Sequence, residues 1–166
     1  MPIKRVTLLL ASLALSACQT TQSNDPSSLS FRVPPGSTLA LNKAIEIPAG
    51  QTHALIQSGQ LVTDSGRNQY EVACRLNFRE FGPRTIAPEV FSIRRTEHRE
   101  GWESRPNFYF YASEIFLDSA TGTDVIKLEC DTWAMPPSFN FSFADMQQAL
   151  GDYLTFKFSS PETPEK

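Results

Sequence analysis

The chain has 166 residues, of which 40% are hydrophobic and 20% charged, and its formal net charge is −3 at pH 7. This length and balance suit one folded domain and exclude a chain that stays disordered for lack of a core. The slight negative charge argues against binding of nucleic acid, and three cysteines are too few for a disulfide-dense mini-scaffold. Two histidines leave little material for metal binding or acid–base chemistry near neutral pH, so we expect no metal site. We also expect no cofactor.

The first eighteen residues have the pattern of a secretory leader. Lys4 and Arg5 precede an apolar run over residues 6–17, which is too short to span a bilayer. The leader closes with Leu15-Ser16-Ala17-Cys18, an aliphatic residue followed by two small residues and a cysteine. This arrangement resembles the lipobox of bacterial lipoproteins.

The lipobox resemblance implies a modification and a location. It implies cleavage after the signal peptide 1–17, a diacylglycerol on the sulfur of Cys18, and a fatty acid such as palmitate on its new amine. Gln19 stands where an inner-membrane retention signal would place aspartate. The resemblance therefore implies a lipid anchor on the periplasmic face of the outer membrane. The alternative is a plain secretory signal with a chance cysteine.

Composition divides the rest of the chain into three parts. Residues 18–37 are rich in Ser, Thr, Gln, Asn and Pro, which predicts a lipidated cysteine followed by a flexible tether. Such a tether would span about 20–25 Å root-mean-square. Residues 38–158 form the predicted single β domain. Residues 159–166 are polar and broken by proline, which predicts a disordered tail.

Alternation of apolar and polar residues dominates the predicted domain. The clearest run places apolar side chains at every even position from Tyr70 to Phe78. Residues 107–117 are aromatic on both faces, which predicts a central strand covered on each side. Short strands separated by turn signals predict a mainly β fold, either an antiparallel β-sandwich or a barrel-like domain. Other strands are predicted over 39–47, 53–57 and 61–62, from Phe91 and Ile93 onward, and over 126–130 and 153–158.

One short helix is predicted near the C-terminus. Ser142 is a candidate N-cap because Asp145 follows it by three residues, as in a capping box. Gly151 provides the matching stop signal. The sequence therefore predicts a helix over residues 142–150.

Cys74 and Cys130 both lie on the apolar phase of predicted strands. With Cys18 assigned to the lipid, two inward cysteines in an oxidising periplasm predict a structural disulfide. Closing a loop of this length stabilises a domain by about 4 kcal/mol in the chain-entropy model. Two reduced thiols in the core are the alternative.

The sequence contains little that points to catalysis. It has neither a G-x-S-x-G nucleophile motif nor an S-x-x-K motif opening an apolar helix. His53 and His98 lack a second ligand at helical spacing. Glu97, Glu100 and Glu103 interleave with arginines, which favours a salt-bridged exposed hairpin over the paired carboxylates of a glycosidase.

Two segments are candidates for contact with a partner. Residues 94–105 are predicted to be a charged loop with a turn at Gly101, which binds a protein or an anionic envelope component. The alternative is a solvated hairpin with its tryptophan folded back on the sheet. The pattern of residues 133–143 favours an edge strand that fills the core, and the alternative is an exposed aromatic patch that binds a partner. The candidate partner-binding residues are Arg94, Arg95, Arg99, Trp102, Trp133, Phe139 and Phe141.

Further motifs carry two weaker resemblances. I-P-A-G at 47–50, I-Q-S-G at 56–59, N-Q-Y at 68–70 and Cys74 resemble uncharacterised proteobacterial periplasmic lipoproteins, which imply no activity. Lysozyme-inhibitor lipoproteins share a lipid anchor, a small β-barrel and a Ser-Gly-x-x-Tyr loop. Here the segment from Ser65-Gly66 to Tyr70 is one residue longer, and a W-x-K-G-type motif is missing.

Taken together, these patterns predict an outer-membrane-anchored lipoprotein with a non-catalytic structural, accessory or protein-binding role. Its partners would be the membrane, through the lipid, and another envelope protein. An inhibitor or ligand-binding module is the first alternative. A hydrolase of envelope glycan is a further alternative from a different class.

Overall fold

The fold is that of a computed structural model, which describes residue 23 and residues 25–102, 109–134 and 140–159. Strands dominate these residues, and a 3-10 helix spans Asp64–Gly66. The strands are β1 (Thr38–Leu41), β2 (Ile45–Ile47), β3 (His53–Gln57), β4 (Gln60–Val62), β5 (Ala73–Phe78), β6 (Arg84–Ile86), β7 (Glu89–Trp102), β8 (Tyr109–Ser119), β9 (Val125–Ala134) and β10 (Leu154–Lys157); the helix α1 spans Phe143–Leu150.

Eight strands form one curled antiparallel sheet in the order β10-β1-β7-β8-β9-β5-β3-β4. β2 and β6 pair separately, so the single alternating run predicted over 39–47 is two strands in different sheets. The short β6 was not predicted from the sequence. β8 lies in the middle of the large sheet, and its residues from Tyr111 to Ile115 are buried on both faces. The prediction of a mainly β, antiparallel fold with one short helix near the C-terminus is confirmed.

Helix α1 joins the two ends of the curled sheet. It begins with the predicted capping box, in which the Asp145 carboxylate accepts a hydrogen bond from the Ser142 N–H at 2.8 Å. The helix contacts β3 and β5 towards one end of the strand order and β10 at the other. Its core-facing side chains are Phe143, Met146, Ala149 and Leu150. The helix thus closes the core that the sheet encloses.

The C-terminal end of α1 lies against the turn between β3 and β4. The N–H of Gly59 donates to the Ala149 carbonyl at 2.9 Å. Gly151 has a φ of +56°, and a Cβ there would lie 2.5 Å from the Gly59 Cα. Both the left-handed backbone and the close approach require glycine at this position.

The predicted disulfide between Cys74 and Cys130 is present. The two cysteines are directly opposed on β5 and β9, and both are fully buried on the core face. The bond joins residues 56 positions apart. In the unfolded chain the bond closes a loop that contains β6, β7 and β8, which lowers the conformational entropy of the unfolded state.

The folded domain begins earlier than predicted. Phe31 and Val33, assigned from composition to the tether 18–37, belong to the hydrophobic core. The Phe31 ring packs edge-on against Phe143 and Phe158, with centroids 5.4 and 5.3 Å apart. Burial of these two apolar side chains stabilises the fold, although the residues around them are polar and predict a tether. Residues 18–22, including Cys18, lie outside the described residues.

The domain also extends slightly further at its C-terminal end. The N–H of Ser159 donates to the Ser37 hydroxyl at 3.0 Å, and the Ser159 hydroxyl donates to the Pro35 carbonyl at 3.1 Å. Ser159 is therefore part of the folded domain rather than the start of the predicted tail. The rest of that prediction, residues 160–166, lies outside the described residues.

Candidate functional site: the long hairpin and its charged face

β7 and β8 form a hairpin of 14 and 11 residues. β1 pairs only with residues 89–92 of β7, so further along β7 its one strand neighbour among the described residues is β8. The predicted charged loop over 94–105 is therefore wrong for residues 94–102, which are strand. Gly101 is paired with Phe110 and does not form the predicted turn. Residues 103–105 lie outside the described residues.

Arg94 is the extra residue of a β-bulge. The register of β7 against β8 shifts between Ile93 and Arg95, and the Arg94 guanidinium pairs with Asp118 at 3.2 Å. Before the bulge the odd-numbered residues face the core, whereas after it the even-numbered residues do. The bulge therefore turns Arg95 and Arg99 onto the outer face of the sheet.

Four charged side chains form a ladder on the outer face of β7, β8 and β9; this charge ladder consists of Arg99, Glu114, Lys127 and Glu129. The Lys127 Nζ lies 2.7 Å from both carboxylates, and Arg99 lies 3.1 Å from Glu114 and 3.2 Å from Glu129. Burial lowers the pKa of Lys127, but hydrogen bonds to the two carboxylates outweigh it and raise that pKa. The two cations thus hold two directly opposed carboxylates together on neighbouring strands.

Aromatic rings support both arginines of the outer face. The Arg95 guanidinium lies 3.7 Å from the centroid of the Phe116 ring, and that of Arg99 lies 5.4 Å from the centroid of Phe110. Both arginine side chains remain about half exposed. The Arg95 Nε also pairs with Glu97 at 2.6 Å, and Arg99 pairs with the two carboxylates of the charge ladder. Arginines that are held on aromatic rings and keep part of the guanidinium exposed are enriched in protein interfaces.

The two tryptophans among the candidate partner-binding residues lie on opposite faces of the sheet, near the end of β7 and the start of β8. Trp133 in β9 is opposed to Phe110 on the outer face and is half-buried. Trp102 is opposed to Tyr109, and the two rings contact edge-to-face with centroids 5.2 Å apart. Trp102 is 65% exposed, so it is not folded back onto the sheet.

Phe141 fills the core, as the favoured alternative for residues 133–143 has it, so its inclusion among the partner-binding residues is wrong. This residue is 7% exposed, and its ring packs on Tyr111 with centroids 5.1 Å apart. Residues 140–142 are also not strand, so the core is filled by an irregular segment that leads into α1. Phe139 lies outside the described residues.

A buried ion pair lies under residues 63–72, which cover the outer face beside the charge ladder. Asp131 is 2% exposed, and its carboxylate pairs with Arg67 at 2.5 Å and Arg75 at 3.3 Å. The covering segment is held by Gln57, whose side-chain oxygen accepts from the Asn68 N–H at 2.9 Å. The alternating sequence pattern predicts that Asp131 faces solvent. The segment over 63–72 that covers it is distant in sequence, so no local pattern reveals that Asp131 is buried.

On the core face of the hairpin, His98 and Tyr111 meet. The His98 Nδ1 lies 3.0 Å from the Tyr111 hydroxyl. Burial and the nearby charge of Arg32 lower the pKa of His98, while burial and Glu100 raise the pKa of Tyr111 to about 12. Both groups are therefore neutral at pH 7 and form a structural contact between β7 and β8.

Comparisons with protein-family models, curated proteins and solved structures give no match to this chain. Within the residues that the structure describes, no helix has the length and apolar character to span a membrane. The same residues contain no group of three or more acidic, histidine or cysteine side chains that could hold a metal ion.

Proposed function

We propose that this protein is a lipid-anchored module of the bacterial cell envelope. It binds another envelope protein through the outer face of the β7–β8 hairpin and catalyses no reaction. The observation that carries the binding role is the pair of half-exposed arginines, Arg95 and Arg99, fixed on aromatic rings. The anchoring role rests on the lipobox that ends at Cys18.

The charges of this face favour a specific protein contact over general attraction of anions. The charge ladder contains two cations and two anions, so its net charge is close to zero. Balanced, mutually paired charges select a partner of complementary pattern, whereas a one-signed patch would attract any polyanion. An inhibitor that inserts the hairpin into an enzyme is the second form that such a contact could take.

The anchor is tested by metabolic labelling with a fatty acid in a bacterial host. We expect the wild-type chain to carry the label and to fractionate with the outer membrane, because the lipobox directs acylation of Cys18. The Cys18→Ser variant should lose the label. Cys74→Ser serves as the control, since it removes a cysteine but leaves the lipobox intact. Retention of the label by Cys18→Ser would contradict the proposed anchor.

The binding face is tested by photo-crosslinking in intact cells. A photoreactive phenylalanine analogue replaces Phe110 on the outer face, or Phe81, an exposed phenylalanine that follows β5. We expect a discrete adduct from position 110 and none from position 81. Arg95→Ala should weaken the contact by about 5- to 30-fold, the range for an arginine at the centre of an interface. Equal adducts from both positions would contradict the proposed face.

A further inference from the structure

Residues 25–33, which we call the N-terminal strap, pack on the core face of the β7–β8 hairpin. The Thr96 hydroxyl donates to the Val33 carbonyl at 2.9 Å, and the Phe31 ring packs edge-on against Phe143. Leu29, Phe31 and Val33 line one cavity together with His98. His98 of β7 is therefore covered by the strap on the side that faces the core.

The cavity beside His98 has little room for water. Its volume is about 10 Å³, which is the space that a single water molecule needs. Apart from serine hydroxyls, the rest of its wall consists of apolar side chains such as Leu29 and Met146, and of Tyr111. A charged imidazole loses much of its hydration in such a place. Protonated His98 is therefore poorly solvated as long as the strap is in position.

The charges around His98 also favour its neutral form. Burial and the charge of Arg32, which belongs to the strap, lower the pKa of His98, and the opposing effect of Glu100 on β7 is smaller. Tyr111 on β8 does not supply a counter-ion, because burial and Glu100 raise its pKa to about 12. Among the described residues, the part of the cavity wall that comes from α1 and the residues just before it is uncharged.

We infer that the N-terminal strap is an acid-sensitive element, and that protonation of His98 releases residues 25–33 from the hairpin and from α1. Release removes the apolar cover and moves Arg32 away, so the pKa of His98 returns towards its ordinary value of 6.5. The docked state binds the proton less well than the released state. Docking is therefore fully stable above about pH 6.5 and weakens as the pH falls below that value.

Release would change the reach of the domain. With the proposed anchor at Cys18, a flexible chain from Cys18 to Asp25 averages roughly 15 Å end to end, whereas one from Cys18 to Gly36 averages roughly 23 Å. Acid would then let the binding face of the hairpin search a larger volume beside the membrane. This consequence rests on the proposed anchor, but the release of the strap does not.

Amide hydrogen exchange of the full chain, read by peptide mass spectrometry, tests the release. Exchange is measured at about pH 7.5 and about pH 5, where ordinary carboxylates stay mostly ionised and an ordinary histidine changes its charge. Protection factors corrected for the intrinsic pH dependence of exchange report local opening. The chain contains two histidines, so His53→Gln is the matched control for His98→Gln. His53 lies on β3 and pairs with Asp64 at 3.1 Å.

We expect the protection factor of a peptide over 25–33 to fall by about 3- to 30-fold at the lower pH, both in the wild type and in His53→Gln. The upper limit of about 30-fold is the factor by which protonation favours a released histidine of ordinary pKa. A peptide over β5 should keep its protection. His98→Gln should show no fall over 25–33, because glutamine stays neutral and its side-chain oxygen can still accept from the Tyr111 hydroxyl.

No fall in the wild type, or an equal fall in His98→Gln, overturns the inference. A fall of the same size over β5 also overturns it, because the whole domain would then be opening. If circular dichroism shows that His98→Gln is unfolded, Arg32→Gln replaces it. This variant should show a smaller fall than the wild type, and an undiminished fall contradicts the role of the strap. These measurements do not depend on acylation, so they are separate from the test of the anchor.

Discussion

Asp131→Ala is expected to lower the free energy of unfolding by about 3–5 kcal/mol, because it leaves a buried arginine without its counter-ion. The Arg67 side chain is buried, and its Nε already has no hydrogen-bond partner. Asp131 is thus the group that neutralises the guanidinium in the interior. Urea denaturation at pH 7 under non-reducing conditions measures the change.

Asp118→Ala is the matched control for this prediction. Asp118 pairs with Arg94 at 3.2 Å, but both side chains are about half exposed, so the pair contributes less than about 1 kcal/mol. A loss for Asp131→Ala no larger than that for Asp118→Ala would mean that the buried pair does not stabilise the fold. The isosteric variant Asp131→Asn should also lower the free energy of unfolding, because it leaves the Arg67 charge without a counter-ion. Since asparagine has nearly the same size, this loss cannot come from a cavity.

Gly82→Ala is the second substitution with a large expected effect. A Cβ at Gly82 would lie 2.3 Å from the carbonyl oxygens of both Ile47 and Pro48. These are backbone atoms at the end of β2, so relief of the clash requires movement of the two-stranded sheet rather than rotation of a side chain. We expect a loss of about 3 kcal/mol or more in the free energy of unfolding.

Gly101→Ala separates this clash from a general effect of removing glycine. A Cβ at Gly101 meets no atom within 4 Å, and the residue lies in regular strand. There alanine is expected to be neutral or to stabilise by up to about 1 kcal/mol, because it reduces the entropy of the unfolded chain. Thermal denaturation of both variants gives the comparison. Losses of similar size in the two variants would contradict the proposed clash.

Local sequence patterns were sufficient for much of the fold. The alternation that placed Cys74 and Cys130 on inward phases is local, and so is the Ser142–Asp145 capping box. Accordingly β5, β8, β9, the helix and the disulfide were predicted, whereas most of β7 was not. The boundary of β5 was less accurate: it begins at Ala73 rather than at Tyr70, which is exposed.

Contacts between distant segments account for what the sequence did not reveal. Asp131 is buried because residues 63–72 cross the sheet above it, and Phe31 is buried because it meets Phe143 more than a hundred residues later. The bulge at Arg94 reverses the faces of β7, so a constant odd–even pattern could not assign Arg95 and Arg99 to one face. The sequence therefore predicted which arginines and aromatic residues belong to the candidate site, but it could not predict which of them lie together on one face of the sheet.

The position of α1 in the chain affects when the domain can become complete. Among the described elements the helix and β10 are made last, yet the helix contacts β10 at one end of the strand order and β3 near the other. Until residues 143–157 have been synthesised and released, the sheet has no element to close it, and its interior stays accessible to water. If the leader directs export, as we propose, a chain built in this way would remain open while it is threaded through a narrow export channel.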